Sequence, residues 1–164
     1  MLVQSYLGSP IGFFEISGSE LGVRSVKRCE KPGVETQDIP DEHPVAVCKQ
    51  ELQAYFDGKQ REFTVKLDWG GAPEFHRLVW AALQQIPYGE TVAYSDIANR
   101  IGQPKAVRAV GLANRNNPVA IVVPCHRVIG KAGELRGYFY GLDTKMALLR
   151  LENPVRFAEQ GSLF

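Results

Sequence analysis

Five consecutive residues, Pro124-Cys125-His126-Arg127-Val128, bring together a thiol, an imidazole and a guanidinium. The thiolate is the nucleophilic form of cysteine, and a neighbouring base or cation raises its population. The pattern therefore offers nucleophilic chemistry at Cys125 with His126 as base. On an extended strand adjacent side chains point to opposite faces, so the two cooperate only where the chain turns or a water bridges them. A packed core cysteine beside a surface histidine would give the same pattern, because buried cysteines are common. Cys29 and Cys48 are the other two of three cysteines. An odd, sparse count argues against a disulfide scaffold and for a reducing, cytoplasmic setting. Cys29, Cys48, His43 and His76 do not have a recognised zinc spacing, so no metal is expected.

The elements that must position this pair fall into two groups. The chain has 164 residues, 45% of them apolar and 23% charged, an ordinary globular balance with room for a core. No apolar run approaches the ~18 residues of a membrane span, and Met1 to Pro10 has no secretory pattern. The first thirty residues read as an antiparallel meander. Val3 to Leu7, Ile11 to Ile16 and Leu21 to Val26 are separated by turn signals at Gly8-Ser9-Pro10 and Gly18-Ser19-Glu20. Residues 30–43 are acidic and read as an exposed loop. Val45, Cys48, Leu52 and Tyr55 then recur at helical spacing up to Gly58, and Phe63 to Leu67 alternates like a short strand. Gly70-Gly71-Ala72-Pro73 is a linker.

Beyond it Phe75, Leu78, Val79, Ala82, Leu83 and Ile86 form an apolar stripe that Pro87 breaks. Two short helices follow, one holding Tyr94, Ile97, Ala98 and Ile101 and ending at Gly102. The other begins after Pro104 and holds Ala106, Val107 and Val110. Two short helices around a glycine-containing turn are the pattern of a helix-turn-helix, or of a plain helical hairpin. In the DNA-binding reading the second helix is the recognition helix and presents Lys105, Arg108 and Arg115. Ile121-Val122-Val123 fits a buried three-residue strand. A last helix starts near Asp143 and carries Met146, Leu149 and Leu151.

The expected fold is α/β (α+β), with a small N-terminal antiparallel-sheet α/β domain over 1–70. A helical, winged-helix-like domain with the helix-turn-helix follows over 73–152, then a tail over 153–164. Charge follows the same division. The net charge of +1 hides nine basic against twelve acidic residues in 1–85, and ten against six in 86–164. A basic second half attracts polyanions such as DNA.

Several motifs in order and spacing resemble one family, the O6-alkylguanine-DNA alkyltransferases, also called methylated-DNA–protein-cysteine methyltransferases. Pro124-Cys125-His126-Arg127-Val128, with Asn117-Pro118-Val119 before it and Gly137-Tyr138 after it, looks like their active-site signature. Pro87-Tyr88-Gly89-Glu90-Thr91-Val92-Ala93-Tyr94 resembles their entry to the helix-turn-helix. Arg108-Ala109-Val110-Gly111 resembles their recognition helix, and Leu148-Leu149-Arg150-Leu151-Glu152 their closing helix. The resemblance is close over about 73–152 and extends over 1–72 only in layout.

The resemblance implies direct, single-turnover repair without a cofactor. An alkyl group, mainly methyl, passes irreversibly from O6-alkylguanine, and less so O4-alkylthymine, to Cys125. His126 is implied as the base that takes the thiol proton through a water, Glu152 as the carboxylate orienting it, and Asn117 as the brace of the turn before the cysteine. The damaged nucleotide must leave the stack of double-stranded DNA to reach a sheltered thiol. Arg108 is implied to enter the stack in its place, beside Ala109 on the same helix. Tyr94 is implied to crowd the phosphate and donate to the flipped base. Arg115 and Lys105 suit phosphate contact, and Arg127 suits a structural ion pair. In the pocket, Val128 is implied as a wall and Tyr138 as donor to the guanine oxygen.

Phe139 and Tyr140 stand where the family usually has smaller residues, so methyl should fit well and benzyl poorly. Some members hold zinc in the N-terminal domain, with a cysteine where Ser19 stands here. The ending Gln160-Gly161-Ser162-Leu163-Phe164 resembles the peptide by which bacterial partners dock on the replication sliding clamp, with Gln160, Leu163 and Phe164 as anchors. The protein is expected to act as a monomer, with no membrane partner. The competing reading is a non-catalytic alkylated-DNA-binding protein, whose members have a tryptophan in place of Cys125. A cysteine hydrolase would leave the helix-turn-helix unexplained.

Overall fold

A computed structural model of the chain describes residues 1–158. The sliding-clamp residues Gln160, Leu163 and Phe164 lie outside the described residues. Two compact units are present, 1–70 with 118–122, and 71–117 with 123 onward.

The first unit is built on a meander of β1 (Val3–Ser9), β2 (Gly12–Ser19) and β3 (Gly22–Cys29), in the order β1-β2-β3 and antiparallel throughout. Tyr6 pairs with Glu15 and Ile16 with Val26. Alternation puts Phe14 and Ile16 on the buried face, and a register shift opposite Ser17 and Gly18 adds one residue to β3, so that Val23 and Val26, three residues apart, are both buried. Helix α1 (Pro44–Phe56) lies against the sheet and buries Val45, Cys48, Leu52 and Tyr55, the four residues whose spacing predicts it. His43 caps the helix, its Nδ1 accepting from the Val45 N–H at 3.0 Å.

The expected strand over Phe63 to Leu67 is reduced to one parallel bridge, Val23 to Leu67. What holds this segment is buried Glu51 on α1. Its carboxylate accepts from the Thr64 and Val65 N–H groups, the Thr64 hydroxyl and the Gln60 amide. Backbone amides bound to a carboxylate are not free for a longer ladder. Gly22 permits the bridge, since its φ is +146° and a Cβ there would sit 2.7 Å from the Leu67 carbonyl carbon.

The apolar run Ile121-Val122-Val123 is buried but is not a strand. Ile121 has φ +72°, and the Val122 N–H bonds back to the Ala120 carbonyl at 2.8 Å. A β-branched residue in the left-handed region is costly and persists only where its surroundings fix it. Here Val119 bridges to Val26, so residues 118–122 belong to the sheet unit.

The second unit is helical. Helix α2 (Glu74–Leu83) buries Val79, Trp80 and Leu83, and the Trp80 indole donates to the Ala113 carbonyl at 2.8 Å. Strand β4 (Val92–Ala93) pairs in parallel with β5 (Val128–Ile129). The helix-turn-helix is α3 (Tyr94–Arg100) and α4 (Val107–Arg115). Gly102, at φ +75°, makes the turn between them. Helix α4 starts later than Pro104 suggests, because Gln103 to Ala106 close a separate turn.

The closing helix α5 (Leu142–Glu152) has Gly141 as its N-cap residue, not Asp143, which sits in its first turn. Residues 153–158 are not a free tail. Phe157 is buried with Ile129, Leu135, Met146 and Leu149, and its carbonyl accepts from Arg150.

Candidate active site

The site lies in the helical unit where a 3-10 turn, Cys125–Arg127, interrupts the extended chain. That turn supplies the change of direction that adjacent cysteine and histidine side chains need. Pro124 cannot donate a backbone hydrogen bond, and the Arg127 N–H closes the turn onto its carbonyl at 3.0 Å.

Cys125 is 6% exposed. Its Sγ accepts from the Asn117 amide at 3.2 Å, and the same amide donates to the Val123 carbonyl at 2.8 Å. Asn117 thus fixes both the sulfur and the backbone before it. The Asn114 amide, from α4, reaches the Cys125 carbonyl at 3.4 Å. Burial pushes the Cys125 thiol up, while Asn117 and Lys145 pull the other way.

His126 is fully buried, and its Nε2 lies 2.7 Å from Glu152 Oε2. Burial pushes its pKa below the ordinary histidine value, against the pull of Glu152. A carboxylate only accepts, so Nε2 carries the hydrogen and Nδ1 presents a lone pair. Nδ1 has no partner among the described residues. Burial opposes the Glu152 charge, but His126 and Arg127 outweigh it and hold the carboxyl well below the usual range. Arg127 Nε and Nη2 bind the two Glu152 oxygens at 2.8 and 2.9 Å, and its Nη1 binds the Ile86 carbonyl at 2.8 Å.

The Tyr94 hydroxyl donates to the Arg136 carbonyl at 3.2 Å. Tyr138 is buried, and its hydroxyl has no partner among the described residues. Burial raises the pKa of both phenols, so both remain neutral donors. Val128 is fully buried. Tyr140 is half-buried and edge-on to Tyr138, whereas Phe139 is 65% exposed with its ring against Tyr140.

Lys105, Arg108, Ala109 and Arg115 are all exposed, on α4 or just before it. Beside Tyr94 lies a cavity of about 340 Å³ with Ser95, Lys131 and Arg136 in its walls. Among the described residues no three His, Cys, Asp or Glu side chains cluster as a metal site. No described helix is long and apolar enough to cross a membrane.

Two participants escape the sequence reading. Arg127 is expected only as an ordinary ion pair, yet it grips the carboxylate that holds His126. Lys145 is fully buried, with its ammonium 2.6 Å from the Val128 carbonyl and 2.7 Å from that of Arg136. Its position seven residues before Glu152, nearly two helical turns, puts both on one face of α5 and is a signal available in the sequence. Chemically, the site holds a sheltered sulfur with one hydrogen-bond donor, a neutral imidazole oriented by a fixed carboxylate, and two neutral phenols.

Comparison with known proteins places this geometry. Residues 74–154 match the DNA binding domain of 6-O-methylguanine DNA methyltransferase, and residues 2–69 match its ribonuclease-like domain. A methylated-DNA–protein-cysteine methyltransferase of Methanosarcina acetivorans is 50% identical over 147 residues, which is 88% of this chain and 94% of the relative. One from Mycolicibacterium paratuberculosis is 47% identical over 154 residues, 93% of each. Among solved structures, the Mycobacterium tuberculosis O6-methylguanine methyltransferase superposes with a TM-score of 0.81 at 43% identity, over 94% of each chain. A structure of a Mycobacterium tuberculosis protein in complex with DNA superposes with a TM-score of 0.79 at 46% identity, over 91% of each chain.

Proposed function

The chain belongs to the methylated-DNA–protein-cysteine methyltransferase family, a DNA-repair enzyme moving an alkyl group from DNA to its own cysteine, and we propose that Cys125 is the acceptor. The observation that carries this reading is the series Asn117, Cys125, His126 and Glu152. Three hydrogen-bonding side chains converge on or behind one sulfur, and the imidazole nitrogen not held by Glu152 has no partner among the described residues.

The step is an in-line substitution. The thiol proton passes to His126 Nδ1, by way of a water where the two do not touch. The imidazolium so formed is stabilised by Glu152, which stays ionised. Asn117 donates to the growing sulfur anion. The thiolate attacks the alkyl carbon, an S–C bond forms and the bond from that carbon to the guanine oxygen breaks. Tyr138 donates to that oxygen as charge builds on it, and the proton that left sulfur ends on the departing guanine. The thioether is not hydrolysed, so each molecule acts once.

Reaching the sulfur requires an extruded nucleotide, because Cys125 is buried. In this reading exposed Arg108 on α4 fills the gap in the stack, with Ala109 beside it, Lys105 and Arg115 contact the phosphate backbone, and Tyr94 crowds the phosphate of the flipped nucleotide. A Mycobacterium tuberculosis relative solved in complex with DNA supports DNA binding by this chain. A binding protein without transfer is not favoured, since the nucleophile is present and the curated relatives are methyltransferases. Action as a monomer in the cytoplasm, some activity on O4-alkylthymine, and clamp docking through Gln160, Leu163 and Phe164 belong to the same proposal.

Intact-mass analysis after exposure to O6-methylguanine DNA tests the assignment. One methyl group should appear on the peptide containing Cys125, and none in Cys125→Ser. A label on Cys29 or Cys48, or no label, would remove it. For the tail, deleting the last five residues should abolish retention on immobilised clamp while leaving transfer intact.

A further inference from the structure

Glu134 and Arg136 stand on the loop between β5 and Tyr138, and both line the cavity of about 340 Å³ beside Tyr94. The Glu134 carboxylate folds back over this loop, where only a glycine leaves room for it. A Cβ on Gly130 would overlap that carboxylate. The Gly130 N–H closes the loop onto the Glu134 carbonyl at 2.8 Å. The Arg136 backbone is pinned as well, since its carbonyl accepts from the Tyr94 hydroxyl at 3.2 Å and from Lys145 Nζ at 2.7 Å. The Arg136 side chain, by contrast, is 66% exposed.

The guanidinium rests on Glu134 unequally. Its Nε and Nη2 form one edge, whose geometry suits two acceptor oxygens. Here both point at a single oxygen, Oε1, at 3.2 and 3.1 Å. Glu134 Oε2 is buried without a partner among the described residues. An exposed pair of this kind holds weakly. A phosphate would offer two oxygens to the same edge. The cavity's other walls belong to the helix-turn-helix, with Ser95 on α3 and Val107 at the start of α4, and exposed Lys131 adds a second cation.

We propose that Arg136 is a DNA-phosphate contact that Glu134 occupies in the free protein, and that a phosphodiester of the DNA strand carrying the damaged nucleotide takes its place on docking. The inference rests on the docking given above, with Tyr94 at the phosphate of the flipped nucleotide. The Tyr94 hydroxyl bonds to the Arg136 carbonyl, so the guanidinium is rooted next to that phosphate. Glu134 then acts as a brake, because every duplex must displace its carboxylate from Arg136. An acidic charge that merely repelled DNA would do so whether or not Arg136 were present. Energetic coupling between the two side chains separates exchange from simple repulsion.

Binding of an undamaged duplex and an O6-methylguanine duplex is measured over a salt series for wild type, Glu134→Gln, Arg136→Ala and the double variant. Arg136→Ala should weaken both duplexes roughly three- to tenfold and reduce the slope of log affinity against log salt by about 0.9, the loss of one phosphate contact. Arg136→Lys should keep the slope and recover only part of the affinity, since it has the charge without the two-donor edge. Glu134→Gln should tighten binding roughly two- to fivefold, the scale of an exposed ion pair. In the Arg136→Ala background the same substitution should have a clearly smaller effect. Equal tightening in both backgrounds would make Glu134 a diffuse charge and overturn the proposal. So would an unmoved salt slope in Arg136→Ala. A wild-type protein that binds neither duplex would remove the helix-turn-helix docking itself, and this contact with it.

Discussion

Arg127 grips both oxygens of Glu152, through Nε at 2.8 Å and Nη2 at 2.9 Å, inside the helical unit. The side chains are 7% and 1% exposed, so the pair is closed off from water. A carboxylate held in this fork cannot rotate, and it stays ionised when His126 charges. The same guanidinium reaches the Ile86 carbonyl at the end of the α2 segment. One arginine therefore connects the carboxylate that holds His126 to the chain that follows α2.

Removing one partner alone should cost more than removing both. Glu152→Gln leaves the Arg127 guanidinium buried without its counter-charge, at a cost of roughly 3–5 kcal/mol. Combining Glu152→Gln with Arg127→Met should recover part of that loss, because no buried charge is then stranded. Urea unfolding of the single and double variants checks this. Equal destabilisation of both would show that the pair contributes little beyond packing.

Acid should destabilise the protein in two stages. His126 is held below its ordinary pKa by burial and Glu152 is held well below its own by His126 and Arg127, despite burial. In both cases the unfolded chain binds the proton more readily, so stability rises with pH. The His126 contribution is fully present above about pH 6.5 and fades below it. The Glu152 contribution fades below about pH 4.3. Melting temperature measured from pH 7.5 to 4 should fall, and His126→Gln should flatten the first part of that fall. An unchanged slope in this variant would assign the early loss to other groups.

What the sequence makes legible depends on whether a residue's type announces its neighbours. Val45, Cys48, Leu52 and Tyr55 share a face at helical spacing, so α1 followed from pattern alone. Turn residues cut the sheet into its three strands for the same local reason. Ile121-Val122-Val123 misled because β-branched runs favour strands, and nothing local reveals that Asn117 and the Val119 bridge force a turn. Cys125 and His126 were legible as neighbours in the chain. Glu152 lies 26 residues from His126, and only the family resemblance joined them. The burial of Lys145 is not legible in the sequence, because a lysine ordinarily reads as a solvated charge.

On DNA, the two exposed arginines of α4 should behave differently. Arg115 sits at the end of the helix, where a phosphate contact is expected. Arg115→Ala should weaken damaged and undamaged duplex alike and reduce the slope of log affinity against log salt by about 0.9. Arg108→Ala should slow transfer from duplex while leaving transfer from the free O6-alkylguanine base unchanged, since only the duplex requires extrusion. Salt-dependent binding isotherms and paired rate measurements separate the two. Equal loss on duplex and free base would take Arg108 out of the extrusion step.

The aromatic bulk beside Tyr138 sets the last expectation. Phe139 and Tyr140 together promise a tight pocket, but the structure divides them. The Tyr140 ring is half-buried, 5.8 Å from that of Tyr138, while Phe139 is 65% exposed and packs 5.0 Å from Tyr140. Steric exclusion of a large alkyl group therefore falls to Tyr140. Tyr140→Ala should raise the rate with free O6-benzylguanine by about tenfold or more, the scale on which apolar pockets discriminate by size. Phe139→Ala should change it little, because its ring faces solvent. Rates of benzyl and methyl transfer in the three proteins decide the matter. A wild-type protein that takes benzyl as readily as methyl would mean that neither ring limits the pocket, and that the loop from Gly137 to Gly141 opens when the base enters.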